Sequence, residues 1–221
     1  MGICSSKSSA RTFTSAQAKG GCELDLSKTA LVLIEYQNEF TTEGGKLHGA
    51  VAESMKATDM LAKSAKVVAA ARVKGITVIH APIMFKEDAS DNPNKGLGIL
   101  AGCATDKLFT EGTWNADFHE SMKPATGDLV VENKKGLDAF PGTNLEALLK
   151  ENKIETLALS GFLTNCCVES SMRTAYEKGF NTVTLTDCCA TTSAEGQAGA
   201  TGGTFGMFSD PMTADDFVGK L

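Results

Sequence analysis

A thiol placed where a strand turns into a helix can act as a nucleophile, and this chain has one such place. Thr156 to Leu159 is an apolar run that reads as a buried strand, Gly161 marks a turn, and Val168, Met172, Ala175 and Tyr176 then recur at helical spacing. Cys166 and Cys167 lie between them. Backbone N–H groups and the positive end of a helix dipole converge at such a junction. They can lower a thiol's pKa and hold a developing oxyanion. A buried packing cysteine is the alternative reading, and position alone leaves both open. The second reactive group is Glu35, which ends the apolar run Thr29 to Ile34. That run suits a central parallel strand buried on both faces, and open α/β sheets place ligands at the carboxyl ends of such strands. A solvent-facing strand end is the plainer alternative for Glu35. Lys134 and Lys135 close a third strand-like segment, from Asp128 to Lys134; as a pair of lysines they read as solvated surface.

The elements that must position these groups alternate between strand and helix. A chain of 221 residues, 42% hydrophobic and 22% charged, suits one α/β domain. The expected boundaries are an arm over residues 1–24 and a domain over 25–221. Val51 to Lys74 predicts one long helix ended by Gly75, and Thr77 to His80 the second strand. Thr143 with Glu146 predicts a capping box for a helix through Lys150. Thr182 to Asp187 predicts another parallel strand, followed by Cys188 and Cys189 as buried packing residues. Ser193 to Thr204 reads as a glycine-weakened helix, Phe205 to Phe208 as a short edge strand, and Thr213 to Leu221 as a terminal helix capped by Thr213. Residues 86–112 are polar and then glycine-rich, a length that suggests a lid over a site. His48 in the loop from Gly44 and Trp114, the single tryptophan, can face a pocket; a surface histidine and a core or interface tryptophan are the alternatives. His80 at a strand end reads as a core or rim histidine rather than a catalyst.

Bulk properties exclude several classes. The net charge of −6 argues against nucleic acid as the main partner. No apolar run approaches the ~20 residues of a membrane span, and no apolar signal segment stands near the start. Seven cysteines, four of them in the adjacent pairs Cys166-Cys167 and Cys188-Cys189, make a poor disulfide framework and indicate a reduced, cytoplasmic protein. No Cys-x-x-Cys spacing suggests structural zinc. The start, Met1-Gly2-Ile3-Cys4-Ser5-Ser6-Lys7, fits the N-myristoylation pattern, with Gly2 as acceptor and Cys4 open to palmitoylation. Two lipids, or one lipid with Lys7, Arg11 and Lys19, would tether the chain to the cytoplasmic face of a membrane. A disordered tail and a transit peptide are the alternatives.

Three stretches resemble the isochorismatase-like cysteine hydrolases. Gly161, Thr164, Asn165, Cys167 and Val168 match that family's nucleophile turn, Gly-x-x-Thr-Asn-x-Cys-Val, which selects Cys167 over Cys166. Ile34-Glu35-Tyr36-Gln37-Asn38-Glu39-Phe40 is similar to its first motif, Ile-Asp-x-Gln-Asn-Asp-Phe, with Glu35 in place of the catalytic aspartate. Lys134, Ala139 and Phe140 match the lysine and the phenylalanine six residues later, while Asp138 replaces a common serine and Leu137 a common aromatic residue. The resemblance implies a doubly wound, mostly parallel sheet with helices on both faces. It implies a Glu35, Lys134 and Cys167 triad in which Lys134 and the helix terminus favour the Cys167 thiolate and Glu35 shuttles protons. It implies an oxyanion hole from Leu163, Thr164 and Cys167 with a cis bond between Leu163 and Thr164, and substrate contacts from Gln37, Phe40 and Phe140, joined by His48 and Trp114. The expected reaction is hydrolysis of a small amide, ureide or carbamoyl compound through a thioester. No cofactor is expected. The metal pattern of the family's nicotinamidases is absent, and His48, His80 and His119 are scattered, so no metal is expected. A homo-oligomer is the family's habit. Two alternatives stay open: a vinyl-ether hydrolase that needs no cysteine, and an inactive membrane-tethered redox or interaction protein.

Overall fold

The computed structural model describes residues 24–221; Gly2 and Cys4 lie outside the described residues. The described chain folds as β1 (Thr29–Ile34), α1 (Asn38–Thr41), α2 (His48–Thr58), α3 (Met60–Val73), β2 (Thr77–Ala81), α4 (Gly98–Thr105), β3 (Leu129–Val130), α5 (Leu145–Glu151), β4 (Thr156–Phe162), α6 (Glu169–Glu177), β5 (Asn181–Ala190), α7 (Ala194–Gly199), α8 (Phe205–Phe208), β6 (Asp210–Met212) and α9 (Ala214–Lys220). The six strands form one parallel sheet in the order β3-β2-β1-β4-β5-β6. The order reverses between β1 and β4, so a crevice opens at their carboxyl ends. That switch point is where open α/β sheets bind ligands.

Alternation along β1 builds both faces. Leu31 and Leu33 join a core with Met55, Met60, Val67 and Phe217 from α2, α3 and α9. Ala30, Val32 and Ile34 join a second core with Leu145, Leu149, Met172 and Phe205 from α5, α6 and α8. Every residue of β1 is buried, as expected for a central parallel strand covered on both sides. Leu137 and Cys166, both half-buried, pack against both cores and mark where the two faces meet.

Several local expectations give way. The predicted helix Val51 to Lys74 is two helices, because Asp59 takes a left-handed conformation (φ 54°) and closes α2. The cause is visible in spacing: Met55 and Met60 are both buried but five residues apart, one more than a helical stripe allows. The strand Asp128 to Lys134 shrinks to Leu129–Val130, because Asn133 turns the chain (φ 61°) and sends Lys134 inward. Thr143 and Glu146 form no capping box. The Thr143 hydroxyl accepts from Leu145 N–H, while Glu146 pairs with Lys178. Phe205 to Phe208 is helix, reached from α7 through a wide turn at Ala200–Thr204 that buries Phe205, and the edge strand falls at Asp210–Met212. The Thr213 cap on α9 forms, with Asp216 reciprocating. His80 is fully buried, with Nε2 3.0 Å from Asp128. Among the described residues no helix is long and apolar enough to cross a membrane.

Gly161 is fixed by close approach. Its φ is +124°, and a Cβ there would sit 1.9 Å from the Ile34 carbonyl oxygen of the paired strand. Gly161→Ala is expected to cost at least about 3 kcal/mol through strain and forced strand separation. In a thermal melt that is a fall of roughly 6–12 °C for a chain of this size; an unchanged melting temperature would refute the constraint.

Candidate active site

Glu35 leaves the end of β1 with φ 58°, an uncommon conformation for a residue with a side chain and one that clusters at functional sites. Its N–H donates to the Ala81 carbonyl at 3.1 Å and its carbonyl accepts from Gln37 N–H at 2.7 Å. Together these bonds turn the side chain into the crevice. Lys134, arriving from β3, donates from Nζ to the Glu35 carboxylate and to the Gly136 carbonyl, the latter at 2.8 Å. Cys167 stands after β4. Glu35, Lys134 and Cys167 are only 2%, 2% and 3% exposed, so the three expected groups are brought together in a dry site at the switch point.

Burial and charge act against each other here. Burial pushes the Glu35 carboxyl above its ordinary value, with the Lys134 charge and the facing Cys167 thiol pulling it back. Burial favours neutral Lys134, but Glu35 and then Cys167 outweigh it, so the ammonium is held above its ordinary value. The neighbouring Cys166 thiol, together with burial, pushes Cys167 well above an ordinary thiol. Glu35 neutralises Lys134, and the Cys167 thiol faces the same carboxylate, with the Lys134 charge still favouring its ionised form.

The nucleophile turn is a wide one, over Thr164–Val168, in which the Leu163 carbonyl accepts from Cys166 N–H at 3.0 Å and from Val168 N–H at 3.2 Å, on either side of Cys167. The cis peptide is Phe162–Leu163, one bond earlier than Leu163–Thr164. Phe162 is the last residue held in the ladder, opposite Ala190, so the chain leaves strand geometry immediately after it. Ser171 Oγ donates to the Cys167 carbonyl at 2.8 Å and accepts from Ala139 N–H at 2.9 Å. That hydroxyl joins the lysine loop to the nucleophile helix.

The other expected contact residues surround this centre at different depths. Gln37 is buried, and its amide is fully engaged: it donates to the Ile83 and Ala116 carbonyls at 2.9 and 2.7 Å and accepts from Ile83 N–H at 2.9 Å. Phe40 stacks on Phe162 at 5.0 Å, and His48 Nδ1 lies 2.9 Å from the Phe40 carbonyl. Phe140 is buried against Phe180 on the other face of the sheet. Trp114 is 47% exposed and lines a separate groove of about 220 Å³ with Asn38, Thr42 and His119.

The segment 86–112 contains a helix, α4, that sequence alone left as loop. Leu100 and Cys103 on it are buried in the core while Ile99 is exposed, so it turns an apolar underside inward, and Cys103 lies within reach of the Glu35 charge. Burial, with the Glu35 charge, pushes the Cys103 thiol up to about 11. Two supports went unread in the sequence. Glu39 is fully buried and accepts from Lys46 N–H (2.6 Å), Asn115 Nδ2 (2.9 Å) and Phe109 N–H (3.1 Å), which pins the base of the covering segment. Lys135 pairs with Asp91 at 2.7 Å and donates to the Met84 carbonyl at 2.6 Å. The acid immediately before the aromatic of the first motif was a signal for Glu39; nothing local marked Lys135. Among the described residues no three His, Cys, Asp or Glu side chains converge as a metal site would require.

Comparison with known proteins agrees with this fold. Residues 29–216 match the Isochorismatase domain. A ureidoacrylate amidohydrolase RutB of Variovorax paradoxus is 30% identical over 213 residues, covering 88% of this chain and 82% of its own. One from Rhizobium rhizogenes is 31% identical, covering 73% and 70%. A cysteine hydrolase from Pseudomonas syringae superposes with a TM-score of 0.79 at 20% identity, covering 90% and 94% of the two chains. An N-carbamoylsarcosine amidase from Thermoplasma acidophilum superposes with a TM-score of 0.67 at 23% identity, covering 85% and 97%. The parallel sheet, the order of its strands and the match over most of its length place this chain in the isochorismatase family of hydrolases.

Proposed function

We propose that the protein hydrolyses a C–N bond of a small ureide or carbamoyl compound through a covalent intermediate on Cys167. The observation that carries this reading is the buried convergence of Glu35, Lys134 and Cys167 at one switch point. Relatives named for ureidoacrylate and a fold neighbour named for N-carbamoylsarcosine support the substrate class. With substrate under α4, Glu35 takes the Cys167 proton as sulfur attacks the carbonyl carbon. Backbone N–H groups of the nucleophile turn hold the oxyanion. Glu35 then gives that proton to the departing nitrogen, the C–N bond breaks, and ammonia or an amine leaves. Water attacks the resulting thioester or thiocarbamate, Glu35 takes its proton, and as the C–S bond breaks Glu35 passes that proton to the departing sulfur, restoring the thiol and the carboxylate. Lys134 stays an ammonium throughout and holds the carboxylate in place between the two half-reactions.

The reading predicts ammonia release from a panel containing ureidoacrylate, N-carbamoylsarcosine and simple amides, with Cys167→Ala reduced by at least about 10³-fold. A Cys167→Ala variant that keeps its rate would move a cysteine-independent vinyl-ether hydrolase ahead. The acid limb of kcat/KM against pH is expected above the ordinary carboxylate value of 4.5, because burial raises Glu35 and the ionised form is the base. Lys134, held above 10.5, adds no alkaline limb below that pH. In Glu35→Gln the acid limb set by the carboxylate should vanish, and the residual rate should follow the ionisation of the Cys167 thiol, which the freed Lys134 charge favours. An acid limb retained by Glu35→Gln would overturn its role as base.

A further inference from the structure

We propose that Gln197 is a positioning residue that fixes the nucleophile turn through the Thr164 hydroxyl. The proposal rests on the amidohydrolase reading for its kinetic consequences, but its geometry stands apart from it. The ladder between β4 and β5 is irregular: Leu159 pairs with Thr184 and Gly161 with Cys189, so β5 advances by five residues while β4 advances by two. The extra residues of β5 turn carbonyls out of the ladder that need donors from elsewhere. Tyr36 Oη donates to the Cys188 carbonyl at 2.8 Å. Gln197 Nε2 donates to the Thr186 and Cys189 carbonyls at 3.3 and 3.2 Å. With both N–H positions committed to the bulge, the Gln197 Oε1 faces the nucleophile turn and accepts from Thr164 Oγ1 at 2.6 Å.

Neighbouring contacts act in the same direction. Thr191 Oγ1 donates to Asn165 Oδ1 at 2.6 Å. A Cβ on Gly196 would lie 2.9 Å from Asn165 Nδ2, so the helix carrying Gln197 packs closely against the Asn165 side chain. Thr164 is fully buried, and its hydroxyl is directed towards Gln197. The segment between β5 and β6 thus acts as a template against which Thr164 and Asn165 are set, three and two residues before the sulfur. The amide is the group this role requires. It offers two donors to the carbonyls and one acceptor to the hydroxyl, whereas a carboxylate would accept from Thr164 but face the carbonyls with no proton.

The test uses the full chain and three variants: Gln197→Met, which keeps bulk without hydrogen bonds, Gln197→Glu, and Thr164→Val. Each is expected to lower kcat by roughly 10–100-fold with KM changed less than about threefold. The Gln197→Met/Thr164→Val double variant should be no slower than its slower parent, because both remove one interaction. Amide hydrogen exchange over residues 163–168 should accelerate about tenfold in Gln197→Met, a local opening read without any substrate. If the wild type hydrolyses nothing on the panel, the functional reading fails, and the exchange data still decide the clamp. Unchanged exchange in the turn, or single losses that multiply in the double variant, overturns the proposal. Should Gln197 variants fail to fold, Thr164→Ser must retain the rate that Thr164→Val loses; equal rates for the two would equally refute it.

Discussion

A charge pair sealed from water is the constraint on which the site depends. Moving two ions out of water costs several kcal/mol each, and removing one partner from such a pair costs about 3–5 kcal/mol. Glu35 and Lys134 are both about 2% exposed, so neither can be tolerated without the other. The pair is supported at each end by backbone. The Gly136 carbonyl accepts from the lysine, and the left-handed turn at Glu35 holds the acid through Ala81 and Gln37. Chains from β1 and β3 must converge for this, though β2 lies between them in the sheet. The early end of β3 and the left-handed Asn133 follow from that need, because a strand that continued in register would carry Lys134 away from β1.

The sheet supplies the third group by a different device. β4 is the neighbour of β1 across the switch point, and Gly161 lets the two backbones approach where a side chain would collide with the Ile34 carbonyl. The wide turn that follows places Cys167 beside a carboxylate whose charge is already balanced by Lys134. The Cys166 thiol and burial push the Cys167 thiol above its ordinary value, while the Lys134 charge pulls it back. In the proposed reaction, activation belongs to the moment of attack, when Glu35 can receive the proton. Burial excludes water from this base and makes it stronger.

Much of this was legible in the residues. The run Thr29 to Ile34 carries the signature of a strand buried on both faces, and the strand–glycine–helix pattern around Gly161 locates the nucleophile turn. Lys134 was legible only through resemblance, since a pair of lysines carries no local mark of burial; what separates Lys134 from Lys135 is the turn at Asn133, a property of backbone rather than composition. The break at Asp59 was written in the spacing of Met55 and Met60, where five residues stand in place of four. The helix in the covering segment was hidden because α4 is short and glycine-containing, and it is held by contacts from elsewhere, such as the bond from Asn92 Nδ2 to the Leu100 carbonyl at 2.8 Å. Periodicity reports an element's own face, and α4 takes its order from the site it covers.

The same limit explains why Glu39 and the bulge in β5 escaped notice. Glu39 satisfies three N–H groups from three separate segments, so its environment exists only once those segments have met. A buried carboxylate with that many donors needs no cation to be tolerated. It differs in kind from Glu35, whose tolerance depends on Lys134. Two glutamates four residues apart therefore have opposite chemistry. One accepts from three backbone and amide donors and serves as an anchor. The other is held by a buried ammonium and faces a thiol, the group with which the proposed reaction has it exchange a proton. Burial alone does not identify a catalytic acid; the kind of partner that offsets the burial does.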